Sequence, residues 1–155
     1  MNTIKLGSAA ELMKSRLTTV TPYETVLAAA KRMVEANLGA LLVVDNDRLV
    51  GILSERDILQ RVVARSRDPE TTNVSMVLTP NPVAVTEDTP LEECIQIIRQ
   101  RGFRHLPVIN AYRNPIGVIY SRDLLQHILN LIEDSFHQEG NLADILGPQK
   151  VKATS

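Results

Sequence analysis

Apolar residues recur at intervals of three and four in two stretches of the chain that lie 65 positions apart, from Val26 to Leu91. Such spacing places the apolar side chains on one face of a helix, so each stretch is predicted to form an amphipathic helix. The apolar positions are Val26, Ala29, Ala30 and Met33 in the first stretch and Leu91, Cys94, Ile95 and Ile98 in the second.

Two short apolar runs follow each of these helices, with a polar turn between them. The runs are "LLVV" and "LVGIL" after the first helix, and "LPVI" and "PIGVI" after the second. Paired apolar runs around a polar turn predict a strand hairpin. A further helix is expected from Glu55 to about Ala64, and its counterpart from Ser121 to about His137. Each unit therefore reads as strand, helix, strand, strand, helix.

The chain is thus predicted to contain one unit twice. We place the first unit at residues 8–66, a polar linker at 67–75, the second unit at 76–138 and a tail at 139–155. The tail is expected to be disordered beyond Gly147. A unit of about 60 residues is near the lower limit for independent folding. The two units are therefore expected to pack on each other in an α/β fold.

Composition excludes several classes of function. The 155 residues carry 17 Lys and Arg against 18 Asp and Glu, and only 3% are aromatic, so neither a nucleic-acid nor a membrane surface is indicated. No apolar run is long enough to span a bilayer, and a cytoplasmic location is expected. Cys94 is the only cysteine, and the three histidines have no metal-ligand spacing. Without a recognisable catalytic motif, we expect neither an enzyme nor a metal site.

A short motif occurs once in each unit, "GILSERD" at residues 51–57 and "GVIYSRD" at 117–123. Ser54 and Asp57 are predicted to share one side of the first turn of a helix. An ionised carboxylate can accept bonds from both hydroxyls of a ribose. The same two residues would also form an ordinary helix cap without any ligand. The motif by itself leaves both interpretations open.

Longer segments resemble a tandem pair of CBS domains. In the first unit the resemblance is carried by "VTPYETVLAAAKRMVEANLGALLVVD" and "GILSERDIL", and in the second by "VTEDTPLEECIQIIRQRGFRHLPVI" and "GVIYSRDLL". The resemblance implies two units that pack sheet to sheet as a disc with pseudo-twofold symmetry, discs that pair into a homodimer, and clefts that bind an adenine ligand. The ligands implied are AMP, ADP, ATP or NAD, with S-adenosylmethionine a weaker alternative.

The resemblance also implies which residues form the sites. One nucleotide site is expected around Asp57 and Ser54, which would hold the ribose, with Arg104 and His105 facing the phosphate. A second and weaker site is expected around Asp123, because Tyr120 replaces Ser54 and the small residues Gly39 and Ala40 cannot neutralise a phosphate. The remaining residues expected in the first site are Ala40, Ile52, Pro82, Val83 and Ala84, and in the second Thr18, Thr19, Tyr120 and Ser121.

The final helix carries more apolar residues than one core contact requires, on two neighbouring stripes. The shorter helix of the first unit repeats this feature. A homodimer through these helices is therefore expected, and the alternative is that the longer helix only covers the hydrophobic disc. The predicted function is that of a regulatory module, not an enzyme, that binds an adenine nucleotide and signals to a partner protein which the sequence does not identify. The open alternative is a ligand-free scaffold. The apolar residues concerned are Leu124, Leu125, Ile128, Leu129, Leu131, Ile132 and Phe136 in the final helix, and Ile58, Leu59, Val62 and Val63 in the shorter one.

Overall fold

The computed structural model describes residues 5–139; residues 1–4 and 140–155, including the tail predicted to be disordered, lie outside the described part. In the first unit the strands and helices follow the predicted order. They are β1 (Thr19–Val20), α2 (Val26–Ala36), β2 (Ala40–Asp45), β3 (Arg48–Ser54) and α3 (Glu55–Arg61), preceded by the short helix α1 (Ala9–Leu12).

The second unit contains α4 (Leu91–Arg101), β5 (His105–Ile109), β6 (Pro115–Tyr120) and α5 (Ser121–Glu139), preceded by β4 (Thr79–Pro80). The prediction of a first strand in this unit is wrong, because only Val85 pairs there, in a single bridge with Val108. The helix expected to reach Ala64 ends earlier, at Arg61, and a 3₁₀ turn follows it. The structure confirms the two amphipathic helices predicted from the apolar spacing, which are α2 and α4.

Each unit is built on a sheet of the same pattern. The first sheet has the strand order β1-β2-β3-β4, in which β1 is parallel to β2 and the other pairs are antiparallel. The second sheet is the hairpin β5-β6, flanked by two single-residue bridges. One bridge joins Val85 to Val108 in parallel and the other joins Lys14 to Val118 in antiparallel fashion. These bridges stand where β1 and β4 stand in the first sheet.

A short segment precedes the first strand of each unit, at residues 6–14 and 74–80, and is called the lead of that unit below. Each lead packs on the opposite unit. Thr79 of β4 pairs with Ile52 of β3, so the segment that precedes the second unit completes the first sheet. In the corresponding way, Lys14 exchanges two backbone hydrogen bonds of 2.8 and 3.0 Å with Val118. Ala9 of α1 is fully buried in the core of the second unit. The two units are therefore tied together by a reciprocal exchange of their leads.

The glycines of the repeated motif permit this exchange. A Cβ on Gly51 would lie 2.9 Å from the carbonyl oxygen of Thr79 and 2.8 Å from a methyl group of Leu78. A Cβ on Gly117 would lie 2.7 Å from the sulfur of Met13, the residue that corresponds to Leu78. The sequence predicts that another backbone or a ligand approaches the glycine closely, and in this structure the lead of the other unit does so.

The two sheets pack against each other through a shared apolar cluster. Leu42 and Leu49 from the first sheet meet Val118 from the second, and all three are buried. The backbone NH of Leu49 also donates to the carbonyl of Arg113 at 2.9 Å, which links the two units directly. This arrangement confirms the predicted α/β fold of two repeated units packed sheet to sheet.

The segment predicted as a linker is bonded closely to the first unit. The carbonyl of Thr72 accepts a hydrogen bond of 2.8 Å from the backbone NH of Val26, at the start of α2. Thr72 is buried, and Val74 belongs to the core of the first unit. Among the described helices, none combines the length and the apolar character needed to cross a bilayer.

Candidate functional site

The first motif forms a complete helix cap at the start of α3. The Ser54 hydroxyl accepts a hydrogen bond of 3.1 Å from the backbone NH of Asp57. The backbone NH of Ser54 donates in return to Asp57 Oδ2 at 2.9 Å. Asp57 is buried although it carries a carboxylate. The capping alternative for this motif is therefore realised in the structure, with no ligand required.

The second carboxylate oxygen of Asp57 binds the lead of the second unit. The hydroxyl of Thr79 donates to Asp57 Oδ1 at 3.2 Å, and Arg61 lies 3.5 Å from the same oxygen. Arg61 also donates to the carbonyls of Val77 and Leu78, at 2.8 and 3.0 Å. Asp57 thus connects the end of β3 to the exchanged lead segment.

The second motif lacks this network. Tyr120 occupies the position of Ser54, and within residues 5–139 Asp123 takes part in none of the ion pairs. His127 corresponds to Arg61, and its Nε2 lies 3.0 Å from the carbonyl oxygen of Leu6 in the other exchanged lead. The two motifs therefore hold their leads differently.

A cleft of about 680 Å³ opens between the two units. Its volume falls within the range of small-molecule sites. One wall comes from α2 and the adjoining ends of β2 and α3, and the other comes from the starts of β5 and α5. The first wall consists of Ala30, Met33, Val34, Asn37, Leu38, Gly39, Glu55 and Ile58, and the second of Arg104, His105, Tyr120, Ser121 and Arg122.

The two walls differ in chemistry. The wall from the first unit is mainly apolar, and Val34 is 81% exposed there, so its side chain has no packing partner to cover it. The wall from the second unit is basic and aromatic. The guanidinium of Arg122 lies 5.5 Å from the centre of the Tyr120 ring, and the rings of Tyr120 and His105 meet edge to face at 5.3 Å. Such a cleft suits a ligand with one flat or apolar part and one anionic part.

An ion pair spans the cleft between the two units. Arg104 Nη1 lies 3.6 Å from Glu55 Oε1, and the two side chains are 79% and 67% exposed. An exposed pair of this kind contributes at most about 1 kcal/mol to stability. It leaves the guanidinium of Arg104 open to other anions.

His105 is half-buried at the base of the cleft. Burial lowers its pKa below the ordinary value of 6.5, and the positive charges of Arg104 and Arg122 lower it further, while Glu55 acts in the opposite direction. The imidazole is therefore neutral at pH 7 and can serve as a hydrogen-bond donor or acceptor.

The structure brings only some of the predicted residues into this cleft. Arg104 and His105 lie there together with Tyr120 and Ser121, which the sequence assigns to the second site. Ala40, Ile52 and Thr18 line a neighbouring cavity of only about 10 Å³, and His105 and Tyr120 border both spaces. The larger cleft thus combines the basic residues of one predicted site with the motif of the other.

Several of the other predicted residues contribute to the packing of the sheets. Val83 packs against the core of the second unit, and Ala84 belongs to the cluster between the sheets, together with Ile52. Thr19 pairs with Leu42 in the first sheet. Ser54, Asp57, Asp123 and Pro82 do not line either cavity.

Sequence reasoning missed two parts of the cleft. Arg122 was not singled out, although it occupies the position of Arg56 in the repeated motif and stands next to Asp123. The exposed face of α2 was also missed, because the helical pattern that predicts α2 reports its buried face. The signal for the exposed face is Val34, an apolar residue that does not belong to the buried set Val26, Ala29 and Met33.

Comparison with known proteins identifies the family. The family model described as CBS domain matches residues 9–64 and 74–130, which together make up most of the chain. The chain therefore belongs to the CBS-domain family, as a tandem pair. This result confirms the resemblance seen in the sequence.

Relatives and solved structures support the assignment. A 17.7 kDa protein of Acidianus ambivalens is 37% identical over 122 residues, which cover 78% of this chain and 73% of that protein. A solved CBS-domain protein of Burkholderia ambifaria is 34% identical, with a TM-score of 0.70 and coverage of 75% of this chain and 85% of the other. CBSX2 in complex with AMP is 25% identical, with a TM-score of 0.72 and coverage of 80% and 97%; CBSX2 comes from Arabidopsis thaliana.

Several longer plant proteins with CBS domains match this chain over only 18% to 24% of their own length. The chain corresponds to one part of such proteins.

Proposed function

We propose that this protein is a regulatory module that binds an adenine nucleotide in the cleft between its two CBS units and passes the bound state to a partner protein. The observation that carries the proposal is the cleft itself, with an apolar wall from one unit and a basic, aromatic wall from the other. The AMP complex of the related CBSX2 supports the choice of ligand class.

The positions of the cleft residues explain how a ligand could act as a signal. A ligand shifts a conformational equilibrium only if it binds the two states with different affinity. The phosphate is proposed to bind Arg104 and Arg122 of the second unit, while the base packs against Met33 and Val34 of the first. A change in the angle between the units would alter these contacts, so binding would favour one angle.

Asp57 and Ser54 do not line the cleft, so their proposed role as the ribose contacts requires the cleft to extend towards them when the ligand binds. Both oxygens of Asp57 already accept hydrogen bonds within the protein, but each carboxylate oxygen can accept more than one. A ribose at this position would compete with or share the bond from Thr79. Binding would then also affect the lead segment that Thr79 anchors.

The test is a melting curve of the full chain with and without millimolar AMP, ADP, ATP, NAD or S-adenosylmethionine. A ligand present at about 100 times its Kd stabilises the native state by about 2.7 kcal/mol. For a chain of this size that corresponds to a rise in Tm of roughly 5–10 °C. A shift with any of the nucleotides supports the proposal, and a shift with none favours the ligand-free scaffold.

Variants of the two motif aspartates test where the ligand binds. The nucleotide-dependent rise in Tm should be lost in Asp57→Ala and largely kept in Asp123→Ala. Each variant is compared with its own ligand-free melting curve, so a change in basal stability does not affect the result. The reverse outcome would show that the second motif holds the ribose.

The proposal includes a homodimer formed through the outer helices. Leu125, Leu129 and Ile132 of α5 are 58%, 44% and 40% exposed, and Leu59 of α3 is 60% exposed. Burial of these side chains in a dimer would remove apolar surface from water. Leu125→Glu should shift the mass measured by light scattering from dimer to monomer. Met76→Glu is the matched control because Met76 is equally exposed, at 60%, but lies outside both helices.

A further inference from the structure

The cleft carries few positive charges for a site that receives a nucleotide. Its charged lining residues are Arg104, Arg122 and Glu55, which leave a net charge of one positive unit. His105 adds no charge at pH 7, since its surroundings keep the imidazole neutral. A single phosphate monoester carries about 1.5 to 2 negative charges at this pH. The arginines therefore match one phosphate group, and a longer phosphate chain exceeds them.

Glu55 is placed where it opposes any additional phosphate. It lies on the apolar wall, across the cleft from the arginines, and its Oε1 is 3.6 Å from Arg104. A phosphate that binds Arg104 must displace this carboxylate or lie beside it. Asn37 and Gly39, which also line that side of the cleft, bring no positive charge to compensate for Glu55.

We propose that Glu55 makes this cleft selective for the number of phosphates, so that a nucleoside monophosphate binds in preference to the triphosphate. This inference rests on the proposed function, which it deepens by naming the ligand class. Each additional negative charge of the ligand is repelled by Glu55. At a separation of about 7 Å in a largely hydrated cleft, the repulsion weakens binding roughly threefold per charge. A triphosphate without bound metal should therefore lose about tenfold relative to the monophosphate through Glu55 alone.

The experiment is isothermal titration calorimetry of the full chain with AMP and with metal-free ATP, at low ionic strength. The wild type is expected to bind AMP more tightly than ATP. In Glu55→Gln, ATP binding should improve about tenfold more than AMP binding, so the ratio of the two affinities shifts about tenfold towards ATP. Glu70→Gln removes the same charge from an exposed residue outside the cleft, and it should leave both affinities unchanged.

Ionic strength provides a second readout. The exposed glutamate acts through solvent, so the effect of Glu55→Gln on ATP binding should shrink at high salt. If Glu55→Gln acted by changing the shape of the cleft, its effect on ATP binding would be the same at high salt.

The outcomes separate the two proposals. If both nucleotides bind and Glu55→Gln leaves the ratio of their affinities unchanged, the role of Glu55 is wrong and the proposed function stands. If the wild type binds ATP as tightly as AMP, the charge argument is also overturned. If neither nucleotide binds, the proposed function fails and this inference fails with it.

Discussion

The exchanged lead segments make a sharp prediction about Ala9. This residue is 0% exposed in α1, yet it packs in the core of the second unit with Leu91, Cys94 and Leu106. The backbone around it is bonded to the same unit, since the NH of Ala9 donates to the carbonyl of Thr89 at 2.8 Å. Ala9→Asp would place an unpaired carboxylate among these apolar side chains.

The size of the effect follows from this burial. An uncompensated charge in a protein interior destabilises by about 3–5 kcal/mol. The larger side chain also finds no space in a packed core, which adds to the cost. For a chain of this size, a loss of 4 kcal/mol lowers Tm by roughly 8–16 °C.

Ala10 supplies a matched control. It is the neighbouring residue of the same short helix but is exposed, so Ala10→Asp should change stability by no more than about 0.5 kcal/mol. Urea unfolding of both variants gives the free energies. Amide hydrogen exchange then shows where protection is lost, and for Ala9→Asp the loss should be greatest in α4 and β5 of the second unit.

Two results would refute the exchange. One is an Ala9→Asp variant as stable as Ala10→Asp, which would show that Ala9 is not buried. The other is a loss of protection centred on α2 of the first unit, which would show that each lead packs on its own unit.

Three further predictions concern single residues. Gly51→Ala should destabilise the protein by about 1–3 kcal/mol in urea unfolding, because its Cβ would meet the carbonyl of Thr79; an unchanged midpoint would show that the lead can shift away. Asp57→Asn should cost about 1–3 kcal/mol and Asp123→Asn much less, since only Asp57 completes a cap and binds Thr79; equal costs would contradict that distinction. The pKa of His105 is lowered in the folded state, so stability should fall as the pH decreases from 7.5 to 5.5, and His105→Gln should flatten this decrease; an unchanged pH slope would contradict the assignment.

Local patterns in the sequence predicted most of the fold because each pattern has a local physical cause. The spacing of Val26, Ala29 and Met33 reports the buried face of α2, and the structure has that face in the core. The paired apolar runs report the hairpins. The first strand predicted for the second unit is a single bridge at Val85 in the structure, because a short apolar segment does not show how many of its residues find a partner.

The exchange of the leads could not be predicted from the same signals. The apolar residues of α1 indicate that one face is buried, but periodicity does not say against which unit. Gly51 carried a partial signal, since a glycine within a strand suggests the close approach of another group. Only the structure shows that Leu78 and Thr79 make this approach.

The candidate site was predicted in part. The sequence indicated Arg104 and His105 as cleft residues, and the structure has both of them there. It did not indicate Glu55 as their neighbour across the cleft, because the distance between the two units depends on packing between the sheets. The ribose role of Asp57 stays a prediction.

The proposed binding of a nucleotide across the two units is tested most directly by calorimetric titration of AMP into the wild type and two arginine variants. Arg104→Gln removes a cleft residue, and Arg101→Gln removes an exposed charge at the end of α4 that does not line the cleft. We predict saturable binding to the wild type, at least tenfold weaker binding to Arg104→Gln, as expected for loss of a charge-assisted hydrogen bond, and no change in Arg101→Gln. Equal binding by all three proteins, or none by the wild type, would contradict the proposal.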